Sequence, residues 1–296
     1  MGARTLAAGL VLALAAHAGV SVDLRARAIQ PGELVVLTIT LPDPRASLHV
    51  RAFDRDQPAF PIDEGARVWR ALVGIDLDVA PGRYAVSIEA DGVQATQLLT
   101  VRAKTFPSRS LTVDGAFVNP PAAMRERIDA EARQLASTWA SPSRERLWTE
   151  PFVRPVPQPA NSQFGTRSVY TGTSVTPGTP APRSRSVHGG ADFLSPAGTP
   201  VHAPNAGRVA IARELYFTGN TIVVDHGLGL FSMLAHLSAI DVHEGDVVSA
   251  GQVVGRVGAT GRVTGPHLHW AVRAGGARVD PLSVLALLGP PGTPQP

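Results

Sequence analysis

The 296-residue sequence predicts a mainly β chain, two β domains joined by a helical connector. Three observations carry that prediction. Alternating apolar runs recur along most of the length, punctuated by Pro-Gly, Asp-Gly and glycine-bearing turns. The composition, with 29 Gly, 26 Pro and only 5% aromatic residues, suits strands and turns more than helices. Helical periodicity surfaces once, between Asn119 and Trp139.

Residues 1–18 read as a secretory signal peptide. Arg4 carries the early positive charge, Leu6 to Ala16 is apolar, and Ala16-His17-Ala18 is a small-x-small cleavage site. The apolar run falls short of the ~20 residues a spanning helix needs, and no later stretch is long and apolar enough, so no stable membrane insertion is expected.

Residues 19–103 contain the first β domain. Leu34 to Leu41 follows a Pro31-Gly32 turn, Leu48 to Phe53 alternates, and Val68 to Leu77 is a third run. Pro81-Gly82 precedes Tyr84 to Ile88, and Asp91-Gly92 separates that from Val93 to Val101. Such runs and turns predict a small antiparallel sandwich, immunoglobulin-like in its Pro-Gly-x-Tyr corner. His49 is isolated here and reads as a strand surface residue. The sandwich holds no catalytic constellation, so a fragment beginning near Pro155 is expected to keep the chemistry.

Residues 104–160 form the connector. Asn119 is a candidate helix cap, Pro120 and Pro121 suit a first turn, and Met124, Ile128, Leu135 and Trp139 recur on one face. The charges opposite are of mixed sign, which favours docking against the chain's own domains. Trp148 to Phe152 reads as an extended lead, and Pro155 to Pro159 as a stiff segment.

Residues 161–288 form the second, all-β domain. Short strands are expected at Val201–Ala203, Gly207–Ala212, Thr221–Val224, Leu230–Ala235, Val253–Val257 and Leu268–Val272. Thr171 to Ser186, rich in Thr, Ser, Pro, Gly and Arg, reads as a mobile loop ending directly before His188. Residues 289–296 read as a disordered tail.

The chemistry concentrates in two stretches of this domain. In Gly265-Pro266-His267-Leu268-His269-Trp270, an extended backbone would point His267 and His269 into one space. That suits either a shared metal or one ligand beside a proton-transfer group. In Val187-His188-Gly189-Gly190-Ala191-Asp192-Phe193, two glycines let the chain curl so that an imidazole and a carboxylate converge. With one downstream histidine the set has two nitrogens and one oxygen, the pattern of a catalytic zinc with an open position. No Gly-x-Ser-x-Gly elbow, P-loop or paired-carboxylate motif competes. The chain has no cysteine, which excludes disulfides, thiolate zinc sites, a cysteine nucleophile and a lipidated N-terminal cysteine. A formal net charge of +3 without a dense Lys/Arg cluster gives no support for nucleic acid binding.

The ordered motifs His188-x-x-x-Asp192, Ala235-His236-Leu237-Ser238 and Gly261-Arg262-x-Thr264-Gly265-Pro266-His267-Leu268-His269-Trp270 resemble the lysostaphin/LytM-type zinc metallopeptidases of bacterial cell walls. The likeness covers about residues 160–282. It implies a LytM-type peptidase domain with a duplicated hybrid motif, and Zn2+ held by His188, Asp192 and His269. It also implies His236 and His267 as non-ligating catalytic histidines sharing acid/base and oxyanion-stabilising roles. Peptidoglycan stem peptides or cross-links become the expected substrate. The expected setting is periplasmic, extracellular or wall-associated, for a monomer. A catalytically inactive domain that binds wall or activates another hydrolase is the rival, and an exported protease of ordinary proteins a third reading. Retention of all five residues weighs against the inactive domain. His226 reads as strand-end support, His202 and His243 as surface residues, and Asp225 and Asp246 as candidate outer acceptors for a ligand. Leu234, where such proteins often carry an aromatic, is expected on a groove wall.

Overall fold

The structure, a computed structural model, describes residues 19–149, 151–162, 164–173 and 181–290. The signal-peptide reading, residues 174–180 of the expected loop and residues 291–296 of the tail lie outside the described residues.

Between Ser21 and Val101 the alternating runs form two four-stranded antiparallel sheets. One has the spatial order Ser21–Ala26, Leu34–Thr40, Val68–Gly74, Ala59–Pro61. The other runs Arg55–Gln57, His49–Ala52, Gly82–Ala90, Val93–Val101. Their inner faces share a core that includes Leu37, Ile39, Trp69, Val86, Ile88 and Leu99. Strand Val93–Val101 alternates exposed and buried residues from Gln94 to Val101, with Ala95, Leu99 and Val101 inward, although Gln97 is a buried polar residue and Leu98 an exposed apolar one.

Strand Leu34–Thr40 does not. Leu34, Val35, Val36 and Leu37 are all buried, because the sheet is covered on both faces. Val35 and Leu37 face the sandwich core, whereas Leu34 and Val36 join Phe60 and Leu72 in a second core built mainly by the C-terminal half. Each such side chain contributes roughly 1.5–3 kcal/mol by leaving water. Polar contacts reinforce the junction. The Leu34 N–H donates to Ser283 Oγ (3.0 Å), and Arg27 bridges Glu33 (2.9 Å) and Asp280 (2.5 Å). A fragment beginning near Pro155 would therefore lack Leu34, Phe60 and Leu72, which share the core of the C-terminal half.

The C-terminal half is built on a ten-stranded sheet whose main path runs 160–162, 190–193, 268–274, 230–240, 219–225, 207–215, 247–248. The strands expected at 253–257 and 268–272 are present, the latter extending to Ala274. The domain is not wholly β. Helix Pro281–Leu288 closes it, with Asp280 Oδ1 accepting from the Leu282 N–H (3.0 Å) and proline in its first turn. It is apolar nearly all round because Val284 and Leu287 are packed in the core shared by both halves.

The connector differs from expectation in two places. Its helix, Ala122–Ala140, begins after Pro121 without a side-chain cap, so Asn119 does not cap it. Leu135 and Trp139 dock on Ile211, Val223 and Phe231, as a helix packing on its own chain should. Upstream, Ser108–Val113 is a strand that pairs in parallel with Arg167–Gly172, which in turn pairs antiparallel with Arg183–Val187. Residues 171–172 and 183–186, expected in a mobile loop, are thus held in a three-stranded sheet. No described helix is long and apolar enough to cross a membrane.

Candidate metal centre and catalytic cleft

Three strands bring the chemistry together. Strand Gly190–Phe193 pairs antiparallel with Leu268–Ala274, placing Asp192 directly opposite His269, and His269 lies opposite Ala235 on the next strand. Leu268 and Trp270 point the other way and are fully buried, which fixes the face that His269 presents. His188 precedes the Gly190 strand, its N–H donating to the Thr166 carbonyl (2.9 Å).

His188 Nε2, Asp192 Oδ1 and His269 Nδ1 form a triangle with sides of 2.8, 2.9 and 3.1 Å. A single proton can bridge only two of these three acceptor-capable atoms. One cation satisfies all three, and the spans approach the roughly 3.3 Å between neighbouring ligands of a tetrahedral ion with bonds of about 2.0–2.1 Å. The donor set, two imidazole nitrogens and a carboxylate oxygen, fits zinc. Gly190 leaves the room required: a Cβ there would fall 2.3 Å from the Trp270 carbonyl oxygen and 2.8 Å from His269 Nε2. Burial opposes ionisation of Asp192, but hydrogen bonds with His188 and His269 and their charge outweigh it and hold the carboxyl far below the usual range.

His236 and His267 stand beside this triangle and are held differently. Strand Leu230–Ile240 carries a bulge: it advances from Leu234 to Leu237 while its partner advances only from Ile222 to Asn220. His236 occupies the bulge with φ 65°, a left-handed conformation uncommon for a side-chain-bearing residue. Its ring comes 4.9 Å from that of His267 and 5.9 Å from that of His269, centroid to centroid. His236 Nδ1–H donates to the Thr260 carbonyl (2.9 Å), and His267 Nδ1–H to the Gly265 carbonyl (2.8 Å). A carbonyl can only accept, so in its neutral form either ring carries its lone pair on Nε2. Burial, then the charges of His269 and His267, push His236 down to about 3 and keep it neutral near pH 7. All five residues line one cleft of about 260 Å³.

Residues 186–281 match peptidase family M23. The chain is 43% identical over 98 residues to a DD-carboxypeptidase/endopeptidase, Mpg, of Neisseria meningitidis, covering 33% of this chain and 23% of that protein. It is 44% identical over 93 residues to the peptidoglycan DD-endopeptidase ShyA of Vibrio cholerae, covering 31% and 22%. The shared stretch is thus less than a quarter of either relative. A crystal structure from Pseudomonas aeruginosa, provisionally assigned to peptidase M23, is similar over 88% of this chain and 95% of its own, at 30% identity and a TM-score of 0.66. The chain belongs to peptidase family M23.

The M23 stretch does not account for the whole cleft. Arg109, Leu111 and Val113, alternate residues of the connector strand, also line it, as does Tyr170. Arg109 Nη2 lies 3.8 Å from Asp192 Oδ2, and its Nε–H donates to Ser168 Oγ (3.0 Å). Sequence reading passed over this strand, although Ser108–Val113 alternates polar and apolar residues after Leu111. Arg262, part of the Gly261–Trp270 motif, has its guanidinium over the Tyr170 and Phe217 rings, 4.1 and 4.9 Å from their centroids.

Other expectations resolve simply. His226 is buried and bonded to the Ala206 carbonyl and Ser232 Oγ, a supporting residue. His202 bonds the Gly251 carbonyl and His243 is exposed, both away from the cleft. Asp225 is not an outer acceptor for a ligand, since its carboxylate takes hydrogen bonds from Ser143 and Gly227. Asp246 caps the turn at His243. Leu234 is fully buried in the core and forms no groove wall.

Proposed function

We infer that the chain is a zinc-dependent endopeptidase hydrolysing peptide bonds in peptidoglycan stem peptides or cross-links. One observation carries this reading: a triangle of three ligand atoms and two histidines with Nε2 lone pairs share one cleft. In this reading His188, Asp192 and His269 hold the metal. Zinc in that position supplies Lewis acidity, polarising the scissile carbonyl and making water nucleophilic near neutral pH. His236 and His267 handle protons. Nε2 of one accepts the proton of the attacking water, and a protonated Nε2 gives one to the leaving amine. The left-handed bulge and the Thr260 carbonyl fix where the His236 lone pair lies, while the Gly265 carbonyl does so for His267. The peptidoglycan substrate is supported by the names of the relatives, Mpg and ShyA.

The finer architecture belongs to the same reading. The strand orders of the two N-terminal sheets support an immunoglobulin-like sandwich, as does the Tyr84 hydroxyl donating to the Ala80 carbonyl (2.8 Å) at a strand corner. Family membership supports a LytM-type domain with a duplicated hybrid motif over 161–288. A substrate outside the cytoplasm accords with export of a monomer to the periplasm or wall. The test is metal analysis of the purified protein followed by muropeptide analysis after incubation with sacculi. About one zinc per chain and new cleaved peptides are expected. Zinc without peptide release would leave a wall-binding module instead.

A further inference from the structure

The charge of the cleft is unbalanced. Asp192 is the only carboxylate among the described residues that line it, and its Oδ1 is committed to His188 and His269. Against it stand Arg109 and Arg262. Arg262 is fixed from both directions: its N–H donates to the Phe217 carbonyl (2.9 Å), and its guanidinium lies over the rings of Tyr170 and Phe217. Contact with the rings engages the charge of the guanidinium and none of its N–H donors, which remain available to an acceptor. No acidic side chain pairs with Arg262 among the described residues. Tyr170 belongs to the strand paired with Ser108–Val113, so the ring under Arg262 and the backbone under Arg109 are parts of one small sheet. A half-buried guanidinium held on two aromatic rings beside a second arginine has the form of a receptor for a planar anion.

We propose that Arg262 and Arg109 form a carboxylate-binding subsite that selects peptides bearing a free carboxylate on a residue flanking the scissile bond. The inference rests on the endopeptidase reading and deepens it. Arg262 grips the carboxylate through its edge N–H groups, as guanidinium groups do with two-oxygen acceptors. Arg109, held by Ser168 and close to Asp192, adds positive charge at the metal side of the cleft. Peptides in which that carboxylate is a carboxamide lose the ionic contact with Arg262, so they react poorly. Both arginines are positioning residues for substrate, and Arg109 comes from outside the residues matched to the family.

The experiment uses the full chain loaded with zinc and two synthetic cross-linked stem peptides. They are identical except that the flanking carboxylate is free in one and a carboxamide in the other. Binding by fluorescence polarisation and cleavage by chromatography are measured for wild type, Arg262→Gln, Arg262→Lys and Arg109→Gln. Wild type is expected to favour the free carboxylate at least tenfold in both affinity and kcat/KM. Arg262→Gln should bring the ratio near one, and Arg109→Gln should reduce it. Arg262→Lys, which keeps charge but not the fork, should fall between and serves if the Gln variant does not fold. Equal treatment of the two peptides by wild type, or a preference that survives in the Arg262 variants, overturns the subsite while leaving the endopeptidase reading intact. Arginine-dependent binding of the free form without cleavage of either peptide supports the subsite and overturns the endopeptidase reading.

Discussion

The cleft contains two groups of histidines that differ in where their ring nitrogens find partners. His188 and His269 turn a nitrogen toward Asp192 at 2.8 and 2.9 Å, and toward each other at 3.1 Å. His236 and His267 instead spend Nδ1 on backbone carbonyls and keep Nε2 for the cleft. The first group is crowded in a way that a cation relieves, whereas the second is already satisfied without one. Residue type is the same in both. What the nitrogen facing the cleft meets, a carboxylate and a second imidazole or open space, separates the candidate ligands from the candidate proton carriers.

The largest effect that this contrast predicts comes from breaking the crowded group. His188→Ala, Asp192→Ala and His269→Ala should each lose zinc at equal protein concentration and fall to background hydrolysis. Stoichiometric zinc retained in these variants would refute the ligand assignment. Next come His236→Ala and His267→Ala, which should keep zinc and the melting temperature yet lose about 10²–10⁴-fold in turnover. If His267→Ala loses zinc while His269→Ala keeps it, the two groups have been divided wrongly.

A smaller effect sharpens the contrast on the ligand side. Gly190→Ala introduces a Cβ against the His269 ring and the Trp270 carbonyl, so the strand or the imidazole must shift. Zinc affinity should weaken by about 10–100-fold, the range seen when an outer support of a ligand is removed. A competition titration against a chelator measures it. An unchanged affinity would mean that the strand absorbs the methyl group.

The convergence of His188, Asp192 and His269 was legible because each lies in a short motif whose local geometry decides where its side chain points. His267 and His269 are two residues apart beside a strand, and His188 and Asp192 flank a pair of glycines. The connector strand was not legible for the opposite reason. Ser108–Val113 pairs in parallel with a strand about 60 residues away, and no local signal announces such a partner. The His236 bulge is equally hidden, since a left-handed histidine is imposed by the register between two strands. Helix Pro281–Leu288 is a different case: Asp280, Pro281 and Gly289 mark its ends in the sequence. Its apolar face was simply too continuous to show a helical period. In strand Leu34–Thr40 the run of Leu, Val, Val and Leu marks burial on both faces, a sign that the expectation of a free-standing sandwich left unused.

A third kind of histidine yields the smallest expected effect on turnover and a measurable one on stability. His226 is wholly buried and far from solvent. Trp270 Nε1–H donates to Ser232 Oγ (3.1 Å), the Ser232 hydroxyl donates to His226 Nε2 (2.9 Å), and His226 Nδ1–H donates to the Ala206 carbonyl (2.8 Å). This chain is complete with a neutral ring, and a proton on Nε2 would break it. Burial accordingly pushes His226 down to about 4 from the ordinary value of 6.5. Between those values the unfolded chain binds the proton and the folded one does not, so the stability is full above pH 6.5 and is lost as pH falls toward 4. From pH 7.5 to pH 5 the loss from this residue should be about 2 kcal/mol. Denaturant unfolding at both pH values, compared with His226→Gln, isolates it from the cleft histidines. The wild type should show the steeper fall with acid, and equal slopes in the two proteins would show that His226 is not what titrates.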